Sequence, residues 1–364
     1  MNELIKLLQR FPNKPWNWHY LSRNPNLTIE DIKLCPHPHG NWKPYYLSAN
    51  PNITMRDVLV HPADQWDWYE LSQNPGITMK DVDKYPKMPW NWHALSWNPN
   101  TTMNDIINHS DRPWSWSSLS RNPSITMKDV IKYPGDQEEG WKWWNIFIAY
   151  LDNYWDWNNL SQNPSITMKD VEAHPDKPWD WGRMSNNPNI TMKDVDAHLD
   201  KIWTWNLLSR NLIITIEDVI SRPHMPWDWQ HLSDNPCITI GDVLAHPDKD
   251  WDWNRLSGNP GITMRDVKAF PNKRWDWFEL GRNPNITIED VMACPRVFQS
   301  WYWLSRNLFN HSPAIQQCAI KRMQAVRAKH RLKTQLKIIH SRSELCADLI
   351  NGALALPITP GYFI

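Results

Sequence analysis

The segment Lys177–Val195, KPWDWGRMSNNPNITMKDV, holds most of the side-chain chemistry in this chain. Two tryptophans one residue apart offer stacking faces for sugar rings or nucleobases. An Asn and an Asp could take acid–base roles. The residue that ends the Thr half-unit, usually just before a proline, is often His (61, 109, 174, 198, 246), a metal-ligand type. However, the Trp, the Asn and the Asp each recur in eleven copies, whereas a catalytic set is needed once. One His per repeat leaves neighbours roughly 10 Å apart, while Zn–N bonds are about 2 Å. There is no glycine-rich phosphate loop, no H-E-x-x-H and no G-x-S-x-G. No catalytic residues, metal, cofactor or small-molecule substrate are expected, so the chain reads as a non-enzyme.

The first Trp of each unit stands at 16, 42, 66, 90, 114, 155, 179, 203, 227, 251 and 275, and most steps repeat the one from Trp66 to Trp90. A second Trp follows two residues later, except at Pro44. Then come Leu (Met184 once), Ser (Gly281 once), an unvarying Asn, and Pro in all units but the one with Leu212. The unit closes with Thr and Asp three apart, from Thr28–Asp31 to Thr287–Asp290. A broken twelfth unit, WYWLSRN, ends at Asn307, and residues 2–12 read as a leading half-unit.

Thr-x-x-Asp has the form of a capping box, in which the hydroxyl accepts from the amide three residues on and the acid reaches back. Ile77 before Thr78 and Val82 after Asp81 are placed as a hydrophobic staple. The residue between the paired tryptophans is Asp, Asn, Ser or Thr in all units but that of Lys43, which are N-cap types. Trp66 and Leu71 then staple a second helix. The spacing therefore predicts two helices per unit, of roughly 7–9 residues, separated by proline-marked turns. Neither would be stable alone, being shorter than the ~12–15 residues needed in water. Stacking must supply the burial. The expected fold is all-α, a solenoid of short helix pairs about 100 Å long if each layer adds roughly 10 Å. A leucine-rich-repeat-like solenoid is the alternative, because a fixed Asn could ladder between coils. It would need an apolar residue two before the Leu, where this chain mostly has polar ones such as Asn158, Asn206 and Gln230.

The same register argues that the tryptophans fill the space between helices, with indole N–H groups bonded to neighbouring turns. The Asn, extended before Pro, is expected to satisfy amides and carbonyls of its turn or of the next repeat. The Asp is expected to be a cap carboxylate near a helix N-terminus. With its PWxWxxLSxN and NPxIT blocks over residues 12–307, the chain resembles the Trp-rich 24-residue repeat proteins that giant DNA viruses of protists encode in many copies. That family has no assigned activity, so the resemblance implies a viral origin more than a function.

Two irregularities divide the chain into a half-repeat (1–12), an array (13–134), an insertion (135–154), a second array (155–310) and a C-terminal segment (311–364). The step from Trp114 to Trp155 is longer than the others, and WKWWNIFIAY (141–150) imitates a Trp half-unit. It is expected to form an extra helix that bends the solenoid or dents its face, with Trp144 and Phe147 as candidate partner-binding residues. After Ser312-Pro313, a cap followed by proline at the first helical position, a basic amphipathic helix is expected to run to roughly His340. Its polar face carries Lys321, Arg322, Arg327, Lys329, Arg331 and Lys333, either as a polar-backed terminal cap or as a binding element. An apolar tail, ALALPITPGYFI, follows it.

Formal net charge is zero, so the whole chain has no electrostatic claim on nucleic acid. Residues 312–364 carry eight Lys/Arg against Glu344 and Asp348, a net +6, which leaves −6 on the rest. Five Cys (35, 237, 294, 318, 346), an odd number with no C-x-x-C, argue for a reducing compartment. No signal peptide and no membrane-length apolar run are evident, so an intracellular place, in host cytoplasm or virion, is expected. Five N-x-T triplets read as by-products of the repeat. The expected function is a non-catalytic scaffold for a protein partner of virus or host. A carbohydrate-binding protein using Trp rows is the second reading. A nucleic-acid or membrane accessory acting through the basic helix is the third.

Overall fold

The computed structural model describes residues 3–34, 42–61, 65–133, 155–295, 298, 301–307 and 309. All belong to one compact unit, residues 1–315. The extra helix expected in 135–154 and the C-terminal helix and tail of 311–364 lie outside the described residues. So do Trp144, Phe147, Lys321, Arg322, Arg327, Lys329, Arg331 and Lys333.

Each repeat folds as two helices. One begins at the second Trp (Trp68–Gln73) and one just after the Thr (Met79–Lys84); they are called the Trp helix and the Thr helix. Among the described residues every regular element is a helix and none is a strand, so the leucine-rich-repeat alternative falls. Its missing apolar position is the reason: Asn158, Asn206 and Gln230 stand on Trp helices, where a polar side chain can face outward.

The repeat helices are 4–6 residues long, shorter than expected. Asn74 ends the first at φ −71°, ψ 129°, the extended backbone that Pro75 imposes on the residue before it. Tyr85, before Pro86, ends the second at φ −125°, ψ 58°. The N-caps are as the sequence reads. Asp67 accepts from the Tyr69 and Glu70 amides, while Lys43 and Thr204 make no such bond. In the Thr half-unit the carboxylate arm dominates: Asp81 Oδ2 accepts from the Thr78 amide at 2.9 Å and its hydroxyl at 2.7 Å.

Stacking rests on a set of side chains that recurs in each unit. Ile77, Leu71 and Val82, at 0%, 0% and 3% exposure, fill the core between layers. Ser72 Oγ donates to the Trp68 carbonyl and accepts from the Asn91 amide of the next unit, at 2.6 and 2.9 Å. Asn74 is buried; its Oδ1 accepts from the Gly76 amide of its own turn, and its Nδ2 donates to the Ser48 and Asn50 carbonyls, both at 2.8 Å. The amide thus reaches back to the preceding unit, not forward. The N-x-T asparagines are engaged similarly: Asn52 Nδ2 donates to the Pro25 carbonyl, Asn100 to Pro75 and Asn189 to Pro164.

The array is not a rod. The Asn ladder continues past Asn307, because Asn24 Nδ2 donates to the Asn307 carbonyl at 3.0 Å and the Ser305 carbonyl at 3.5 Å. The Asn17 amide donates to Ser305 Oγ at 2.9 Å, as Asp67 does to Ser48. These are the bonds that join any two successive units, so the first unit sits on the twelfth. Twelve layers sharing a full turn rotate by about 30° each, a small wedge per repeat that accumulates into closure.

The twelfth unit is split between the chain's two ends. Trp301 stands where a second Trp should, since Leu304, Ser305 and Asn307 follow at the usual offsets. Phe298 replaces the first Trp, edge-on to Trp277 at 5.8 Å. The missing Thr helix is supplied by Glu3–Arg10, the longest described helix at 8 residues. Its Leu4, Ile5, Leu7 and Leu8 are at most 1% exposed and share a core with Ile288, Val291 and Trp301.

The units on either side of the insertion bond directly to each other. The Trp155 indole donates to the Tyr133 carbonyl at 2.8 Å, as Trp114 does to His109, its fifth residue back. Asn163 Nδ2 reaches the Ser120 and Asn122 carbonyls at 3.0 and 2.9 Å. The flanking units are therefore already in register. Replacing residues 134–154 by Pro-Lys-Met-Pro, the linker found at 86–89, should leave the melting temperature within a few degrees. A fall of more than about 8 °C, the upper shift for ~1 kcal/mol in a small domain, would show that the insertion is part of the stack.

Candidate functional site: the inner wall of Trp helices

The two tryptophans of a pair have different fates. The first is buried in most units, from 5% exposed at Trp155 to 9% at Trp66, Trp90 and Trp227; Trp42 and Trp275 are half-buried. Its indole donates to the carbonyl five residues back, as Trp179 does to His174 at 2.9 Å. That bond fixes the turn before the helix and lets a polar N–H be buried without cost. The second Trp is half-buried and packs edge-on to the first Trp of the next unit, with centroids 4.9–5.3 Å apart from Trp68–Trp90 to Trp253–Trp275. Trp301 and Trp16 repeat this pair across the closure, at 4.9 Å. Sequence periodicity alone does not separate the two roles, because both tryptophans are equally regular.

The remaining face of several second tryptophans is covered by a cation. Arg112 lies over Trp92, Lys201 over Trp181, Lys249 over Trp229 and Lys273 over Trp253, at 5.0–5.6 Å. Each comes from the position two before the next first Trp. Hydrogen bonds from Lys177, Lys201 and Lys249 hold Asp176, Asp200 and Asp248 below the ordinary carboxylate range, and Arg222 does the same for Asp196. That is the direction of a permanent anion, opposite to a general acid at neutral pH.

The histidines that end the Thr half-units pack rather than converge. His109 joins Asp83 Oδ1 at 2.8 Å and tilts against Trp92 at 5.5 Å. Among the described residues no group of three His, Cys, Asp or Glu is placed to hold a metal ion, and no helix is long and apolar enough to cross a membrane. The Cys237 thiol donates to the Leu212 carbonyl at 3.2 Å, and Cys294 is half-buried. A cleft of about 320 Å³ opens between Ile220, Pro223, Met225, Trp229 and Lys249.

The Trp helices form the concave side of the closed array. Most close helix–helix contacts run between successive Trp helices, and those between successive Thr helices are sparser. Arg23 of the first unit pairs with Glu70 of the third, reaching across the second. Only a wall where layers converge allows this.

Counting from the second Trp, the residues one, two and five positions on share one helix face, because the last lies four after the first and three after the second. Leu at three and Ser at four turn into the stack. These three positions vary from unit to unit, and their variation is not random around the circuit. Tyr69, Phe278 and Tyr302 stand at the first of them, 44%, 56% and 43% exposed, as does Tyr45 at 54%. Tyr20, Tyr46 and Trp303 stand at the second. They belong to units eleven, twelve, one, two and three, which are consecutive only because the array closes. Units five to ten carry mainly Ser, Asn, Gln, Gly and Arg there.

The rings touch across unit boundaries. Tyr20 meets Tyr302 edge-on at 5.4 Å and His19 meets Tyr46 at 4.7 Å. Burial, then the charge of Arg23, lowers the His19 pKa. The Tyr20 hydroxyl raises that of Tyr302, and the Asp67 carboxylate raises that of Tyr45.

The fold and this wall define a class: an α-solenoid of helix pairs whose described array is closed. No protein-family model matches the chain, and no curated protein and no solved structure is significantly similar to it.

Proposed function

We propose that the protein is a non-catalytic scaffold that engages another protein, of virus or host. The observation that carries this reading is the division of labour within each repeat. Trp, Leu, Ser, Asn, Thr and Asp are spent on caps, core and inter-unit hydrogen bonds, as in Trp68–Asp81. The three variable positions of the Trp helix change type from unit to unit, and where they bond across units, as Arg23 does with Glu70 and Asn159 with Ser117, the pair differs each time. A fixed frame with drifting exposed positions is how repeat arrays present binding surfaces. The carbohydrate reading has less support, because cations already lie over the tryptophan faces a sugar would use.

The test is cross-linking mass spectrometry of the protein in the cells that express it, beside a variant with Tyr45, Tyr69, Phe278 and Tyr302 all changed to Ser. One recurrent protein partner, lost in a variant of unchanged melting temperature, is the expected result. Tryptophan quenching by acrylamide that a glycan suppresses would instead make the indole rows the site and sink the scaffold reading.

A further inference from the structure

The three variable positions of the twelve Trp helices carry seven Arg and no Lys, against Glu70, Asp234 and Glu279, a net +4. The described array belongs to a region, residues 1–311, whose net charge is −6, so positive charge is gathered on the concave wall. The aromatic arc lies within it. Arg306 is exposed and lies over the rings of Tyr20 at 4.6 Å and Trp303 at 5.6 Å, with no carboxylate partner among the described residues. Arg23 gives one nitrogen to Glu70, while its Nε is buried with no hydrogen-bond acceptor. The Arg306 guanidinium beside these rings therefore lacks a carboxylate among the described residues, and that of Arg23 has one only on the side of Glu70.

We propose that this arc docks an extended acidic segment of a partner protein. Carboxylates of the segment meet Arg306 and Arg23, and an apolar or aromatic side chain lies on Tyr302 and Trp303. The inference rests on the protein-scaffold reading and names the chemistry of its partner. A planar guanidinium matches a carboxylate in bidentate fashion, and Tyr, Trp and Arg with little Lys are the composition of protein interfaces. A phosphate-tracking groove would draw Lys as well as Arg and exclude carboxylates. Here Arg23, Arg255 and Arg282 each pair with an acid on the wall.

The test pans a displayed library of random twelve-residue peptides on the whole protein. The enriched peptide is then titrated by fluorescence anisotropy. An acidic consensus with an aromatic or branched aliphatic neighbour is expected. Its affinity should fall at least tenfold in Arg306→Ala and in Tyr302→Ser, fall less in Arg306→Lys, weaken with salt, and not change in Asn158→Ala on the opposite arc. Melting curves confirm that each variant is folded.

A neutral or basic consensus, or no enrichment, overturns the proposal. So does equal affinity in the arc variants, which would move the docking face elsewhere and leave the scaffold reading standing. Oligothymidylate binding that the arc variants abolish overturns it in favour of nucleic acid. The cross-linking experiment judges the scaffold reading separately.

Discussion

Changing Leu4 and Leu8 together to Ala is expected to open the closed array. Both side chains are 1% exposed, in the helix that completes the twelfth unit. A buried Leu→Ala change costs about 2–5 kcal/mol, so the pair removes about 4–10 kcal/mol from the interface that closes the array. Total stabilities of about 5–15 kcal/mol are typical of domains. In a repeat array each unit contacts only its neighbours, so the loss falls on the closure and leaves most helices stacked. Small-angle scattering should show a larger radius of gyration, while far-ultraviolet circular dichroism keeps most of its helical signal at low temperature. An unchanged radius with an unchanged denaturation midpoint would mean that the Glu3–Arg10 helix does not hold the circuit shut.

The second large effect is expected at Asn187. This fully buried amide donates to the Ser161, Asn163 and Ile166 carbonyls at 3.1, 3.0 and 3.2 Å and accepts from the Asn189 amide at 2.9 Å. Asn187→Ala leaves these backbone groups without their partner, and an unsatisfied buried group costs about 1–3 kcal/mol. A loss of about 3–5 kcal/mol follows from several such groups, read as a drop in the denaturant midpoint.

Asn187→Asp is sharper, because an ionised carboxylate would face carbonyl oxygens. Its folded-state pKa must rise above the unfolded value, near about 3.9. A raised acid pKa means that the folded state binds the proton more tightly. The variant's stability relative to wild type should therefore be greatest below about pH 4 and fall as pH rises through the elevated folded value. Equal deficits at about pH 3.5 and about pH 7, either side of that unfolded value, would show that the Asn donors carry little of the stacking energy.

Much of the candidate surface was not visible before folding. Tyr302 and His19 stand far apart in the chain and at opposite ends of an open array, so no window of sequence joins them. The exposed position one after the second Trp looked merely polar or mixed, and its aromatic members form a patch only across the closure. Trp144, Phe147 and the basic residues from Lys321 to Lys333, which the irregular segments drew attention to, belong to parts outside the described residues.

The sequence alone determined what depends on residues within about one turn of each other. Asp67 as an N-cap, Thr78 with Asp81 as a box, the prolines as stops and two helices per repeat all follow from local geometry that each unit carries whole. Tertiary structure decided the rest. The curvature is a small wedge repeated twelve times, set by how much closer Trp helices pack than Thr helices, and no single repeat records it. Whether Asn74 bonds forward or back, which tryptophan of a pair is buried, and whether Glu3–Arg10 caps a rod or completes a ring depend on the neighbour that arrives. These contacts join residues that lie a whole repeat, or the whole array, apart in the chain, and only the sum of the wedges brings them within hydrogen-bond reach.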